Sequence, residues 1–410
     1  MLHWANQCNI LLFLDSNEYQ HTDGTYECLC AVGVQQQFID DDGTFSAIQK
    51  HYTQNPDWLF GHINYDFKNR LEPLTSKHPA HFAFPDVHFF QPQIVCFIPR
   101  GTNQLCIESY TESPEEIWQQ IQASDSGNNT VAQKPIPFKK RIAHDAYIDI
   151  VQRLRKHIVD GDCYEINFCN ENYAEQVAID PLAAFVALNT ISPAPFAAYY
   201  KLNQQYAACA SPERFLSKKG QIILAQPIKG TAKRMVNQAL DEIAKEQLQQ
   251  SSKERAENVM IVDLMRNDLA RFCKLHSVHV DELFGIYSFP QVHQMISSIS
   301  GQLSKDKNLF DALALSFPMG SMTGAPKIMV MQLIEQYEAS KRELYSGCLG
   351  YISPEGDFDF NVVIRSLCYN ADSQYLSYHT GGAITFDSDP EQEWQETLVK
   401  ASAIHKIFNS

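Results

Sequence analysis

Short apolar runs bounded by turn residues recur along the chain, and this pattern constrains the fold more than any other feature. In the first third, such runs predict strands at 10–14, 58–63, 94–98 and 104–110. Further on, predicted hairpins are interleaved with helices, as in the strand pair joined by Lys218-Lys219-Gly220. Because strict βαβ alternation is absent, the sequence predicts an α+β fold with mainly antiparallel sheets.

The middle and last thirds alternate helical periodicity with strand-like runs. Apolar residues spaced three and four positions apart predict helices at 144–159, 239–272, 309–316, 325–338 and 391–408. The helix at 239–272 is predicted to break near Ser251. Strands are predicted at 163–169, 197–202, 206–210, 215–217, 221–228, 349–352, 360–369 and 375–379.

One polar segment divides the chain. Residues 122–137 are rich in small polar residues and contain a glycine and two prolines, which predicts a linker or surface loop. It separates a β-rich N-terminal region, 1–121, from a second region, 138–410, in which the candidate chemical residues lie.

The charge balance excludes several partner classes. With 33 basic and 48 acidic residues the net charge is −15, which repels phosphate backbones and anionic lipid, so neither nucleic acid nor membrane is expected as a partner. An anionic substrate would need a locally positive or metal-lined pocket. The first residues lack a secretory n-region, no apolar stretch is long enough to cross a bilayer, and eleven scattered cysteines without a Cys-x-x-Cys pair suit reduced thiols. A cytoplasmic location is expected.

Glu257 occupies a position where the helix pattern calls for an apolar residue. The residues three, four and seven positions later are all apolar, and Glu254 lies one turn earlier on the same face. A buried carboxylate needs a cationic partner, a metal or a raised pKa. The simpler alternative is an ion pair with a nearby arginine, namely Arg255, Arg266 or Arg271.

A second acidic face follows near the C-terminus. Asp389 can cap a helix that starts at Pro390, and Glu393, Glu396 and Lys400 then share one face. Two glutamates from each helix could converge on a hard divalent cation, and all-oxygen ligation favours magnesium over zinc. The alternative is a solvated acidic first turn favoured by the helix dipole.

Lys229 ends an apolar run immediately before a glycine. If the hairpin places Ser217 opposite Gln221, then Glu213 falls opposite Ala225, and Glu213 and Lys229 lie on one sheet face about 13 Å apart. A desolvated lysine can act as a nucleophile, and a carboxyl group in the same site can protonate a leaving group. The alternative is an ordinary solvated lysine.

Two further stretches are suited to anions. Gly381-Gly382-Ala383 follows a predicted strand and allows backbone N–H groups to approach a ligand, and Arg365 interrupts an apolar run with a guanidinium that fits a carboxylate. The alternatives are a plain turn and an arginine on an edge strand.

Taken together, these stretches resemble the chorismate-utilising enzymes, the family that forms anthranilate, 4-amino-4-deoxychorismate, isochorismate and salicylate. The resemblance is dense over 140–410 and covers the first third only through Leu11–Ser16. It rests on eight motifs in order: Gly161–Asn167, Ser192–Phe196, Ser211–Phe215, Pro227–Thr231, Glu254–Asp268, Phe317–Lys327, Tyr345–Gly347 and Asp387–Glu393.

The resemblance implies a fold and a binding site. It implies one body of two facing, mostly antiparallel sheets with outer helices, into which the first third is folded. It also implies Mg²⁺ held by Glu257 and Glu396, with Glu254 and Glu393 in support. The substrate chorismate would be bound by Gly230, Thr231, Tyr345, Arg365, Gly381, Gly382, Ala383 and Lys400.

The residue type at position 229 distinguishes members of the family that catalyse different reactions. The lysine is typical of members that form 4-amino-4-deoxychorismate for 4-aminobenzoate and folate synthesis, whereas anthranilate-forming members resemble Pro-Ile-Ala-Gly-Thr here. In the former, the lysine adds to C2 of chorismate while the C4 hydroxyl leaves with a proton from the residue matching Glu213, and ammonia then enters at C4. No Gly-x-Cys-x-Gly elbow is present, so ammonia is expected from solution or from a separate glutamine amidotransferase subunit.

Three positions depart from the family pattern. Glu165 stands where amino-transferring members commonly have glutamine and water-using members have lysine, Gln294 stands in place of a histidine, and Ala383 in place of a glycine. Two other possibilities remain open: an anthranilate-forming component I, and a chorismate-binding subunit that has lost its activity.

Overall fold

A computed structural model describes residues 1–19, 24–40, 43–124, 135–289 and 292–408. Most of the predicted linker, 125–134, lies outside these residues. None of the helices in the described ranges combines the length and apolar character that a membrane crossing requires.

Strands dominate the described chain. In order they are β1 Ile10–Asp15, β2 Tyr26–Val32, β3 Gln36–Ile39, β4 Leu59–Ile63, β5 Val87–Gln91, β6 Ile94–Pro99, β7 Cys106–Ser109, β8 Lys139–Lys140, β9 Glu165–Ala174, β10 Phe196–Leu202, β11 Gln205–Ser211, β12 Arg214–Lys219, β13 Ile222–Gln226, β14 Ile228–Lys233, β15 His279–Ser288, β16 Val292–Gln302, β17 Gly324–Ala325, β18 Cys348–Ile352, β19 Phe358–Asn361, β20 Ser366–Asn370 and β21 Tyr375–Ile384.

The helices lie between the strands. They are α1 Leu2–Ala5, α2 Ser46–Gln54, α3 Lys68–Leu71, α4 Pro114–Ala123, α5 His144–Asp160, α6 Pro181–Ile191, α7 Gln238–Gln250, α8 Ser252–Ala270, α9 Leu309–Ser316, α10 Lys327–Tyr337 and α11 Pro390–Ile407, with short 3₁₀ turns at Tyr65–Phe67 and Gly320–Met322. The predicted break near Ser251 is confirmed, because the Ser251 side chain caps α8.

The strands form two large sheets. The first has the order β17-β9-β21-β20-β11-β10-β1-β2-β6-β7 with β8 on β9, and the second has the order β14-β16-β13-β12-β19-β18-β4-β5-β3 with β15 on β16. Each sheet combines N-terminal strands with later ones, as in the antiparallel pairs β1–β10 and β4–β18. The predicted α+β architecture of two antiparallel sheets is confirmed.

Apolar side chains fill the space between the sheets. One buried cluster joins Leu12 and Tyr200 of the first sheet to Phe60 and Leu349 of the second. Outside, α6 and α11 pack on the first sheet, whereas α8 and α9 pack on the second. The two helices that carry the candidate metal ligands, α8 and α11, therefore belong to different layers.

The predicted hairpin register is wrong. The structure pairs Ser217 with Leu224 and Lys219 with Ile222, so the loop has two residues, and Gly220 adopts φ +58 there. Two-residue loops with positive φ match the right-handed twist of the strands. Glu213 precedes β12 and Lys229 lies in the separate strand β14, so the one-face argument from parity does not apply.

Two other predicted elements also differ. The run 360–369 is two strands in different sheets, because the chain crosses between the sheets at 362–365, where Arg365 has φ +52. Gly381, Gly382 and Ala383 lie inside β21, paired with β9, and not in a turn after a strand. The sequence pattern does not predict β2, β3, β5, β8, β14, β15, β16 or β17 as separate strands.

A buried histidine pair spans the interior of the sandwich. His62 and His88 face each other across β4 and β5, and the Tyr200 hydroxyl lies 3.0 Å from Nδ1 of His62 and 2.9 Å from Nδ1 of His88. Burial lowers the pKa of His62 to about 3, with His88 contributing, and lowers that of His88 to about 4. Both rings are neutral in the folded chain at neutral pH.

We predict that this pair makes the fold acid-sensitive. Unfolded histidines titrate near 6.5, so below that pH the unfolded chain binds more protons and the free energy of unfolding falls. Two protons correspond to a slope of about 2.7 kcal/mol per pH unit. The free energy of unfolding, measured with urea at several pH values between 7 and 4, should fall less steeply with falling pH when both histidines are replaced by glutamine. An unchanged slope would contradict this account.

Candidate active site

Lys229 is positioned by the junction of β14 and α8. It follows Ile228 at the start of β14, and its side chain is only 9% exposed. The next residue, Gly230, has φ +91, and a Cβ there would lie 3.0 Å from Oε2 of Glu254. The glycine thus lets α8 approach the strand closely, which brings the carboxylates of α8 towards the lysine.

The Lys229 ammonium forms a buried ion pair with Glu165. Its Nζ donates a hydrogen bond to Oε1 of Glu165, the first residue of β9, and the Glu165 side chain is 6% exposed. Burial alone would lower the pKa of Lys229, but Glu165, with Glu257 and Glu213, outweighs it and raises that pKa above its ordinary value. The resting lysine is therefore charged, and the solvated alternative is excluded.

Glu213 is buried between β11 and β12. Burial raises the pKa of its carboxyl group to about 7, against the opposing effects of a hydrogen bond from Ser321 and the charges of Lys229 and Lys400. A carboxyl group with this pKa is partly protonated at neutral pH and can donate a proton. Ser321 was not predicted, although it lies within the Phe317–Lys327 motif.

The two acidic helices supply four coupled carboxylates. On α8, burial raises the pKa of Glu257 to about 7 and that of Glu254 above its ordinary value. On α11, burial raises the pKa of Glu393, whereas Lys400 overcomes the effect of burial on Glu396 and lowers its pKa. Glu254 and Glu396 repel each other although they lie on different helices.

Of the simpler explanations, an ion pair between Glu257 and an arginine does not hold. Arg266 pairs with Asp263, Arg271 donates to the carbonyl of Leu315, and Arg255 lies over the Phe284 ring, so none of the three neutralises Glu257. Glu257 lies 3.9 Å from Lys253, and the charge of Lys229 lowers the pKa of Glu257 more than that of Lys253 does. Glu393 is buried and accepts a hydrogen bond from Ser388 at 2.7 Å, whereas the side chains of Glu391 and Glu396 are 56% and 51% exposed, so the start of α11 is acidic and partly solvated.

The glycines of β21 lie against the acidic face of α11. A Cβ on Gly382 would lie 3.0 Å from Oε2 of Glu393 and 3.6 Å from Oε1 of Glu396. Lys400 donates to the Gly381 carbonyl at 2.7 Å and to Glu396 at 2.5 Å. The predicted residues of β21 and α11 are therefore assembled at one place.

The donor chemistry suits a hard cation, although the carboxylates do not yet converge. In the part of the chain that the structure describes, no three His, Cys, Asp or Glu side chains form a group that could hold a metal ion. The four glutamates nevertheless offer oxygen ligands only, and three of them carry raised pKa values that a divalent cation would relieve. They fit Mg²⁺ in the chemistry of their donor atoms.

Arg365 and Gln294 line a cleft that is also bordered by Pro212, the residue before Glu213. Burial lowers the pKa of Arg365, an effect that Tyr345 and Glu396 oppose, so the guanidinium is electrostatically linked to the site. Oε1 of Gln294 is buried and has no hydrogen-bond partner within the described ranges. Tyr345 stacks on His379 at 4.9 Å, and Thr231 pairs with Gln294 across β14 and β16 but has an exposed side chain.

Comparison with known proteins places this chain in a family. A sequence model of chorismate binding enzymes matches residues 16–406. Aminodeoxychorismate synthase component 1 of Escherichia coli (strain K12) is 33% identical over 361 residues, which cover 86% of this chain and 78% of that protein. The chloroplastic aminodeoxychorismate synthase of Arabidopsis thaliana is 41% identical over 271 residues, which cover 65% of this chain but 29% of that protein.

Longer relatives and solved structures complete the comparison. The match to the aminodeoxychorismate synthase of Streptomyces pristinaespiralis spans 35% of that protein, so this chain corresponds to about a third of the longer relatives. Anthranilate synthase component I from Streptococcus pneumoniae TIGR4 superposes with a TM-score of 0.82 at 23% identity, covering 95% of this chain and 93% of that one. The isochorismate synthase MenF from Escherichia coli superposes with a TM-score of 0.78 at 17% identity, covering 99% and 91%. These structures establish the fold.

We predict that the carboxyl group of Glu213 titrates near pH 7 and that Lys229 holds its pKa down. In protein labelled with ¹³C at glutamate carboxyl groups, Glu213→Gln should remove a signal with its midpoint near 7. Lys229→Met should move that midpoint upward, because the carboxylate loses a stabilising charge. Lys327→Met is the matched control, since Lys327 pairs with Asp268 at 2.8 Å and should leave the midpoint unchanged. A downward shift in Lys229→Met would contradict the assignment.

Proposed function

The chain belongs to the chorismate binding enzyme family, and we propose that it is the component that converts chorismate and ammonia to 4-amino-4-deoxychorismate. The observation that carries the proposal is the buried Lys229, which interacts electrostatically with the buried carboxyl group of Glu213, whose pKa burial raises to about 7. The aminodeoxychorismate synthases among its relatives, 41% and 33% identical, support the same reaction.

The proposed reaction uses the two residues in sequence. The Lys229 nitrogen forms a bond to C2 of chorismate, the ring double bonds shift, and the C4 hydroxyl leaves as water with a proton from Glu213. Ammonia then bonds to C4, and the electrons return to break the C2–nitrogen bond. The buried acid matters because hydroxide is a poor leaving group unless it is protonated as it departs.

Cationic groups suit the two carboxylates of chorismate. Arg365 borders the cleft, and Lys400 lies against Gly381 and Gly382 and pairs with Glu396. In our proposal these groups, with backbone N–H groups near Gly230 and Gly382, orient the ring so that C2 faces Lys229. Mg²⁺, held by Glu257 and Glu396 with Glu254 and Glu393 in support, would supply positive charge to a substrate carboxylate.

Ammonia would reach this chain from a partner. Relatives named component 1 imply a second component. We propose that this component is a glutamine amidotransferase that releases ammonia, and that the complex works in the cytoplasm, in accord with the eleven free cysteines of the chain.

We predict that the purified chain makes 4-amino-4-deoxychorismate from chorismate, magnesium and an ammonium salt, and that glutamine cannot replace ammonium. Addition of 4-amino-4-deoxychorismate lyase should then yield 4-aminobenzoate, detected by chromatography and fluorescence. Lys229→Ala should lower the rate by at least about 10²-fold, because direct attack by ammonia lacks the covalent route. Anthranilate as the product, or a Lys229→Ala rate equal to wild type, would refute the proposal.

We predict that turnover requires magnesium. Mg²⁺ should also raise the thermal midpoint of the free chain, because it relieves repulsion among the four glutamates. Glu257→Ala and Glu396→Ala should abolish both effects while the chain remains folded. Glu242→Ala, at an exposed glutamate of α7, serves as the control and should behave like wild type. Full turnover in excess chelator would exclude a magnesium requirement.

A further inference from the structure

Glu165 makes the closest contact of the proposed nucleophile, and the reaction described above gives it no task. Among the described residues, it is the one carboxyl group that accepts a hydrogen bond from Lys229 Nζ. The two residues are 64 positions apart in the chain, and both side chains are less than a tenth exposed. A buried carboxylate placed against a reacting nitrogen needs an explanation in terms of that nitrogen's chemistry.

The other carboxyl groups that face Lys229 have different tasks. Five acidic residues from different elements interact electrostatically with the lysine, namely Glu165, Glu213, Glu254, Glu257 and Glu396. Glu213 is assigned as the acid for the departing hydroxyl, and the other three belong to the proposed magnesium set. Glu165 alone is both in hydrogen-bond contact and unassigned.

Lys229 is an ammonium group before the reaction begins. An ammonium group has no lone pair, so Lys229 must lose a proton before its nitrogen can bond to C2. The neighbouring carboxylates hold the pKa of the lysine above its ordinary value, so at neutral pH very little of it is free amine. Because the nitrogen is buried, direct loss of the proton to solvent is disfavoured, and a base in contact with it is required.

The backbone holds Glu165 in place. It lies at the beginning of β9, where it pairs with Ala325 of β17. Gly324 has φ +139, and a Cβ at that position would lie 2.0 Å from the carbonyl oxygen of Glu165. Only a glycine permits this approach, so the strand pair places the carboxylate at a defined distance from β14. The contact with Lys229 is thus built into the edge of the first sheet.

We propose that Glu165 is the catalytic base for Lys229: it accepts the ammonium proton as the nitrogen attacks C2 and returns it when the lysine is released. The inference rests on the proposed function, because it assigns the proton of that covalent step.

The proton count closes over one cycle. Transfer from Lys229 to Glu165 leaves a neutral amine and a carboxylic acid, and formation of the C2–nitrogen bond gives a secondary ammonium. Glu213 donates one proton to the departing hydroxyl, which leaves as water. Attack of ammonia at C4 gives a C4 ammonium and releases Lys229 as a neutral amine, which recovers its proton from Glu165. Glu213 is reprotonated from solvent.

The test measures formation of the adduct without ammonia. Wild type and Glu165→Gln are mixed with chorismate and Mg²⁺, quenched at short times and analysed by intact mass and peptide mapping. Glutamine can still accept the hydrogen bond but cannot take the proton, so adduct formation should slow by about 10²–10⁴-fold. Below about pH 7 the variant rate should rise about tenfold per pH unit, because free amine must arise by loss of a proton to solvent, whereas the wild-type rate stays flat.

Two further variants separate chemistry from packing. Glu165→Asp keeps a carboxylate, so its adduct rate should be reduced but should keep the flat pH profile. Asp268→Asn removes a buried carboxylate from another lysine, Lys327, and should lower stability to a similar degree without changing the adduct rate. A purely structural role for Glu165 would give both substitutions at position 165 the same pH profile.

The outcomes distinguish the inference from the proposed function. An adduct in wild type together with a Glu165→Gln rate and pH profile equal to wild type would overturn the inference and leave the covalent route standing. Turnover of wild type without an adduct would refute the covalent route, and the inference with it. If Glu165→Gln fails to fold, a steep pH profile in Glu165→Asp would itself overturn the proposal.

Discussion

A lysine buried among carboxyl groups is the interaction on which the site depends. Lys229 is charged because Glu165, Glu257 and Glu213 surround it, and it in turn keeps the pKa of Glu213 near 7 and not higher. Without the lysine, the carboxyl groups would repel one another in a poorly solvated place. Without them, burial would favour its neutral form. The lysine and the carboxyl groups thus stabilise one another's charged forms, and each group shifts the pKa of its neighbours.

The two-sheet architecture makes this cluster possible. Lys229 comes from the edge of the second sheet and Glu165 from the edge region of the first, while α8 and α11 bring carboxylates from different layers. Neither sheet alone supplies both partners of the contact between Lys229 and Glu165. The chain also crosses between the sheets at 362–365, which places Arg365 beside the cleft. An acidic protein thereby obtains a cleft bordered by a guanidinium group.

Local patterns in the sequence predict the helices and much of the site, and non-local geometry accounts for the failures. The helix at 309–316 is predicted with its observed ends because apolar periodicity is a local signal, and in the structure the Asn308 side chain caps it. Register is different: the structure pairs Ser217 with Leu224 and not with the predicted Gln221, a difference of three positions that composition does not reveal. The Glu165–Lys229 contact joins two elements 64 positions apart, so its only sequence signal is a carboxylate at a position where the family commonly has an amide.

The protonation state of Lys229 is the most direct test of this account. Lysine labelled with ¹⁵N at the ζ position, with the Lys229 signal assigned by its loss in Lys229→Met, reports whether the nitrogen is an ammonium or a free amine. The account predicts an ammonium in the free protein that resists deprotonation beyond the ordinary value of 10.5, and a lower titration midpoint in Glu165→Gln. A free amine at neutral pH in the wild-type chain would contradict it.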